Sequence, residues 1–94
     1  MPETRRDAKP ITFFHLPYCP HCLRARQLMA QVYKAHPEYR AIPLREVNEL
    51  KEAELADSYD YYLVPAFFVG NKKIHEGKVT YDQIKAVFDA ALRD

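Results

Sequence analysis

Cys19-Pro20-His21-Cys22 constrains this chain more than any other stretch. Two thiols at that spacing can share one helical turn and exchange a disulfide between themselves. The preceding Ile11-Thr12-Phe13-Phe14 reads as a buried strand and the sequence that follows reads as a helix, so the pair falls at a strand-to-helix junction. These are the only two cysteines in the chain. A disulfide between them closes a very small loop and removes little entropy from the unfolded state, so stabilisation is a weak reason for the pair to exist.

A length of 94 residues corresponds to one domain, near the lower end of sizes that sustain a hydrophobic core without staples. Residues 1–9 are polar and charged and read as a short flexible arm, with the folded domain over 10–94. With 48% apolar residues and a net charge of +1, the composition is that of an ordinary globular protein. The basic residues form no patch with interleaved aromatics, so a nucleic-acid partner is not expected. No apolar run reaches the length of a membrane span and the charged N-terminus lacks a signal-peptide core, so the expected location is cytoplasmic and no membrane partner is expected.

Along the chain, the apolar run Ile11–Leu16 suits a strand buried on both faces. Pro20 suits the first turn of a helix, where its missing N–H would have had no partner. Ala25, Leu28, Met29 and Val32 form one stripe of a helix from Pro20 to Ala35, with Arg24 and Arg26 on its wet side, and His36-Pro37 stops it. A second strand is expected over Tyr39–Val47, at a sheet edge because Pro43 cannot donate to a ladder. Asn48 is the expected N-cap of a helix running to Ser58, with Leu50, Ala53 and Ala56 on its apolar face. Ala66–Val69, the Gly70-Asn71 turn and Lys72–His75 form a hairpin, and Thr80 with Gln83 fits the capping box of a last helix carrying Ile84, Val87, Phe88, Ala91 and Leu92. The order βαβαββα implies an α/β fold, a mixed four-stranded sheet with helices on both faces.

In this element order, Cys19-Pro20-His21-Cys22 and the Val64-Pro65 pair before the third strand together resemble the thioredoxin superfamily, and the small size resembles its glutaredoxin branch. The resemblance covers roughly Pro10 to Leu92 and implies a thioredoxin fold. It implies that the Val64-Pro65 bond is cis and faces the cysteines, with Val64 offering backbone hydrogen bonds to an extended substrate. Tyr18 and Pro20 are similar to the Cys-Pro-Tyr-Cys surroundings of glutaredoxins, and Cys-Pro-His-Cys itself resembles the motif of periplasmic thiol oxidases. The chain departs from both main branches. Leu16 stands where glutaredoxins commonly carry a lysine for a glutathione carboxylate, and Phe13 stands where thioredoxins bury an aspartate.

A thiolate, not a thiol, attacks a disulfide. Cys19 sits at the helix start, where free N–H groups and the helix dipole favour a negative sulfur, and is the expected nucleophile. Cys22, deeper in the helix, is expected to resolve the mixed disulfide. Pro20 and His21 are the residues expected to tune the thiolate, with a protonated His21 making the pair more oxidising. Tyr59, Tyr61 and Tyr62 are expected to pack around the Val64-Pro65 loop, with a substrate edge formed by Tyr18 and Tyr62 as the alternative. His15, His36 and His75 read as strand-end and surface residues.

The expected activity is thiol–disulfide exchange: reduction of protein disulfides or glutathione mixed disulfides, with no bound cofactor, glutathione as a possible co-substrate, and glutathione or a reductase as electron donor. Two alternatives stand beside it. One is a metal or iron–sulfur module built on the same cysteines, which for zinc would need histidines to complete four ligands. The other is a thioredoxin-like reductase serving one dedicated protein. Leu23 after Cys22 removes covalent haem attachment.

Overall fold

Neighbouring side chains on a strand point to opposite faces, so a strand carrying Ile, Phe and Phe on both of its sides has to be covered on both. The computed structural model describes residues 8–92 and puts that strand, β1 (Ile11–His15), in the middle of the sheet. The other elements are α1 (Pro20–Ala35), β2 (Leu44–Asn48), α2 (Ala53–Asp57), β3 (Ala66–Val69), β4 (Lys72–Glu76) and α3 (Tyr81–Leu92), with a 3-10 helix at Pro37–Ala41 between α1 and β2. The sheet order is β2-β1-β3-β4. Strand β1 pairs in parallel with β2 and antiparallel with β3, and β3 pairs antiparallel with β4. The expected mixed sheet and its order of elements are present.

Each face of the sheet has its own apolar core. Ile11, Phe13, Phe67 and Val69 meet Ala25, Leu28, Met29 and Val32 of α1 and Ile84, Val87, Phe88 and Ala91 of α3. Phe14, Val47, Ala66 and Phe68 meet Ala56 of α2, with Tyr59, Tyr61 and Val64 packed around them. The stripe read from α1 is its buried face, and α3 begins with the anticipated capping box. Gln83 N–H donates to Thr80 Oγ1 at 3.2 Å, and Thr80 N–H donates to Gln83 Oε1 at 2.9 Å. Leu92, at the end of that helix, is exposed. Among the described residues no helix is long and apolar enough to cross a membrane.

Two local expectations are corrected. Residues 39–41 are not strand: they belong to the 3-10 helix, and β2 begins at Leu44. After Pro37 the chain must reverse before it can run parallel to β1, and the tight turn puts the Tyr39 ring flat against Phe88, 5.4 Å between centroids, with its hydroxyl on Asp89. Pro43 lies just outside β2 and contributes its carbonyl, which accepts from Ile11 N–H at 2.9 Å; β2 is nevertheless an edge strand. The second helix is also shorter than expected. Asn48 Oδ1 accepts from Leu50 N–H at 2.9 Å, so Asn48 closes a turn over the next residues instead of capping a helix. Helix α2 starts only at Ala53, Leu50 is left exposed, and Leu55 and Ala56 carry the packing.

The arm expected over residues 1–9 lies, for residues 1–7, outside the described residues. Lys9 N–H donates to Ala91 O at 2.9 Å, which ties the entry to β1 to the end of α3. Phe88 sits where Tyr33, Tyr39 and α3 meet, far along the chain from the cysteines. Replacing it with alanine empties a fully packed site, and Phe88→Ala is expected to cost about 3–5 kcal/mol, read as a lowered urea midpoint.

Candidate active site

Register brings four chain segments to one end of the sheet. Phe14 pairs with Val47 on one side and Ala66 on the other, and Ala66 pairs with Glu76. The segments leaving β1, β2 and β4 and the one entering β3 therefore emerge together. They carry Tyr18 to Cys22, Glu49, Gly77 to Thr80, and Val64-Pro65.

Cys19 occupies the N-cap of α1 with extended backbone, and Pro20 takes the first helical position. The two cysteines are free thiols of unlike environment: Cys19 is partly exposed, whereas Cys22 keeps 2% of its surface. Partial burial alone would raise the Cys19 thiol. The backbone N–H and thiol of Cys22 and the backbone N–H of His21 outweigh it and hold Cys19 below the ordinary cysteine value. No side-chain hydrogen bond closes at the cap, so these groups act on the sulfur as converging dipoles. Cys22 is pushed up to about 11, chiefly by burial and further by the Cys19 sulfur, with Leu16 N–H opposing. The Glu49 carboxylate raises both thiols through space and accepts a hydrogen bond from Tyr61 OH.

Tyr18 has a left-handed backbone, φ 66°, which is uncommon for a residue with a Cβ. That turn leaves its ring fully in solvent, with 101% exposure. Pro20 and His21 are exposed at the helix start. His21 reaches Cys19 through its backbone N–H, while its side chain lines a groove with Arg24, Leu28, Gln31 and residues 78–81.

The Val64-Pro65 bond is cis, and Pro65 is fully buried. The loop before it is held from β4. Glu76 Oε1 accepts from Tyr62 N–H at 2.9 Å and more weakly from Leu63 N–H at 3.4 Å, while Glu76 Oε2 meets Lys73 Nζ at 3.3 Å. Those two backbone donors, and Lys73 beside them, hold the Glu76 carboxyl below its usual value. Gly77, at φ +83°, donates its N–H to Pro65 O at 2.7 Å, and a Cβ there would stand 3.1 Å from Leu63 Cδ1. Of the three tyrosines expected to pack here only Tyr59 and Tyr61 do, on Phe14, whereas the Tyr62 side chain is exposed beside this anchored backbone, as is Leu63.

The glutaredoxin family model matches residues 11–74, from the first strand through the cysteine pair and the cis proline into β4. The chain belongs to the glutaredoxin family. A thiol redox function follows in general terms from that membership. Solved structures with the same fold include a thioredoxin from Plasmodium falciparum, 14% identical, with a TM-score of 0.68 over 97% of this chain and 88% of that one. A mutant thioredoxin from Halobacterium salinarum gives 14% identity and a TM-score of 0.68 over 96% and 80%, and a thioredoxin-like protein from Clostridium perfringens gives 21% and 0.66 over 90% and 71%. At these identities they establish the thioredoxin fold. No curated protein sequence matches the chain.

Several residues near this glutaredoxin site carry no signal in the sequence. Glu49 and Glu76 look like ordinary surface acids, and only strand register brings them to the cysteine end of the sheet. Arg26 is not simply the wet side of α1: its guanidinium bonds Glu46, donates to His15 Nε2 at 3.2 Å and lies 5.4 Å from the Phe13 ring centre. Burial and then Arg26 hold the His15 imidazole below its ordinary value, so the ring accepts from the arginine as a neutral base. Among the described residues no group of three or more His, Cys, Asp or Glu side chains is placed to hold a metal ion.

The two thiols should separate by reactivity. In the reduced protein, alkylation at Cys19 is expected to rise with pH to a plateau whose midpoint lies below that of a free cysteine. Cys22 stays unmodified until the pH approaches 11; equal labelling of both at neutral pH, read by peptide mass, would contradict the asymmetry. Glu76→Ala is expected to speed hydrogen exchange at the Tyr62 amide severalfold and leave the β1 and β3 amides unchanged.

Proposed function

We propose that this protein is a dithiol oxidoreductase that reduces protein disulfides, and glutathione mixed disulfides as a second substrate class. The observation that carries the reading is the unlike pair of thiols, one partly exposed and shifted toward the thiolate, the other buried and shifted toward the thiol. The Cys19 thiolate attacks one sulfur of the substrate disulfide. A Cys19–substrate bond forms, the substrate S–S bond breaks, and the departing sulfur takes a proton.

Cys22 then loses its proton and attacks Cys19 Sγ, forming the intramolecular disulfide and releasing the second substrate thiol. The substrate gains two electrons and the protein loses two. The Cys19 sulfur is among the groups raising Cys22, so its capture in a mixed disulfide lowers the cost of ionising Cys22 at the step that requires it. Two equivalents of glutathione, or one reductase dithiol, would restore the reduced pair in a reducing compartment such as the cytoplasm.

Tyr18, Val64 and the cis Pro65 would receive the substrate chain, and His21, when protonated, would favour the thiolate electrostatically. Exposed Tyr18, Leu23, Tyr62 and Leu63 around the site favour a polypeptide as the bulkier substrate. Service to one dedicated protein partner would use the same surface.

Cys19→Ser is expected to abolish reduction of a peptide disulfide by glutathione or by a thioredoxin reductase. Cys22→Ser should instead accumulate a stable mixed disulfide visible on a non-reducing gel. Turnover retained in Cys19→Ser would sink the assignment, and the donor that sustains wild-type turnover separates a glutathione-coupled enzyme from a reductase-coupled one.

A further inference from the structure

A groove of about 400 Å³ begins at the cysteine motif and runs between α1 and the segment that enters α3. One wall is a single stripe of α1, His21, Arg24, Leu28 and Gln31, at the spacing that keeps residues on one helix face. The other wall is formed by residues 78–81. Leu28 and Val79, both buried, make an apolar floor, and Arg24 and Lys78 stand exposed on the rim.

Among the described residues unpaired cations occur elsewhere on the surface, at Lys34 and Lys51 for example, but here two of them flank a buried apolar floor next to the cysteine motif. Arg26, Arg45, Lys73 and Lys85 each have a carboxylate partner: Glu46, Glu52, Glu76 and Asp89. Arg24 and Lys78 have none among the described residues, and no Asp or Glu lines the groove. Two uncompensated cations over an apolar floor attract a carboxylate attached to a partly apolar chain. Arginine adds a planar fork that fits a carboxylate through two hydrogen bonds.

We propose that this groove selects the polypeptide substrate of the redox pair, favouring disulfides flanked by an acidic residue. The proposal rests on the oxidoreductase reading and specifies its substrate class. From Cys19 to Arg24 the helix rises about 7.5 Å, and an extended peptide advances about 3.3 Å per residue. The preferred acid therefore lies two or three positions from the attacked cysteine. Its side chain meets Arg24 and Lys78, and an apolar neighbour covers Leu28 and Val79. Because both cations are exposed, the preference acts largely on encounter and is screened by salt.

The test uses the full chain and three disulfide peptides that differ only in carrying Glu, Gln or Lys at those flanking positions. At low ionic strength kcat/KM is expected to fall from the Glu to the Gln to the Lys peptide, by about tenfold across the series, and to converge in 0.5 M salt. In the Arg24→Glu/Lys78→Glu variant the order is expected to invert. Ratios are read within one preparation, so a smaller folded fraction does not alter them. Turnover of all three peptides at equal rates, or an order unchanged in the double variant, overturns the groove while leaving the dithiol reading standing. No turnover of any peptide overturns the dithiol reading and the groove with it. A glutathione mixed disulfide that responds to the double variant while the peptide ranking does not would assign the cations to glutathione and also overturn the proposal.

Discussion

The burial of β1 on both faces is the constraint on which the rest of the molecule depends. Phe13 stacks on Phe67, 4.9 Å between ring centres and nearly coplanar, within the core closed by α1 and α3. Phe14, on the opposite side, meets Tyr59, Tyr61 and Phe68 in the core closed by α2. Each buried ring contributes on the order of 2–3 kcal/mol. A slip of one residue would exchange the faces and set both rings against the wrong core, so the register is strongly specified. With β1 held in register, the segment carrying Cys19 leaves the same end of the sheet at which the Val64-Pro65 segment enters β3, and the cysteine pair rests on one short turn.

The second constraint is electrostatic and local. An N-cap position is ordinarily filled by a side-chain oxygen that accepts from the first free N–H groups of the helix. Here a sulfur stands in that place, and Pro20 removes one donor that would have lacked a partner. The free N–H groups of His21 and Cys22 are left for the Cys19 sulfur, so the helix start gives up a closed cap and gains a stabilised thiolate. Burial acts on Cys22 in the opposite direction, and the difference between the thiols arises from a position within one helical turn.

The features legible in the sequence were those set by neighbours in the chain. The apolar stripe of α1, its stop at His36-Pro37, the hairpin at Gly70-Asn71 and the reciprocal Thr80 and Gln83 bonds all follow from spacing over a few residues. The misread segments were those whose form answers to distant partners. Tyr39 looks like a strand residue until Phe88 and Asp89, some fifty positions later, supply the surface that draws it into a turn. Asn48 had two local uses for its side chain, a helix cap or a closed turn. The path from β2 to the Tyr59 and Tyr61 side of the sheet selected the turn.

The amino-acid order by itself determined the spacing of the cysteine pair, the proline that starts its helix, the double-faced strand that positions it and hence the fold class. These depend on period and local geometry. Tertiary structure decided which acid holds the Tyr62-Leu63 backbone and which cations stand without a carboxylate beside the site. Glu76, on β4, lies 14 positions after its Tyr62 partner, which is on a loop, and Arg24 is on α1 whereas Lys78 is in the segment between β4 and α3. Their juxtaposition arises only when β1, β3 and β4 pair in register and α1 and α3 close over the same face.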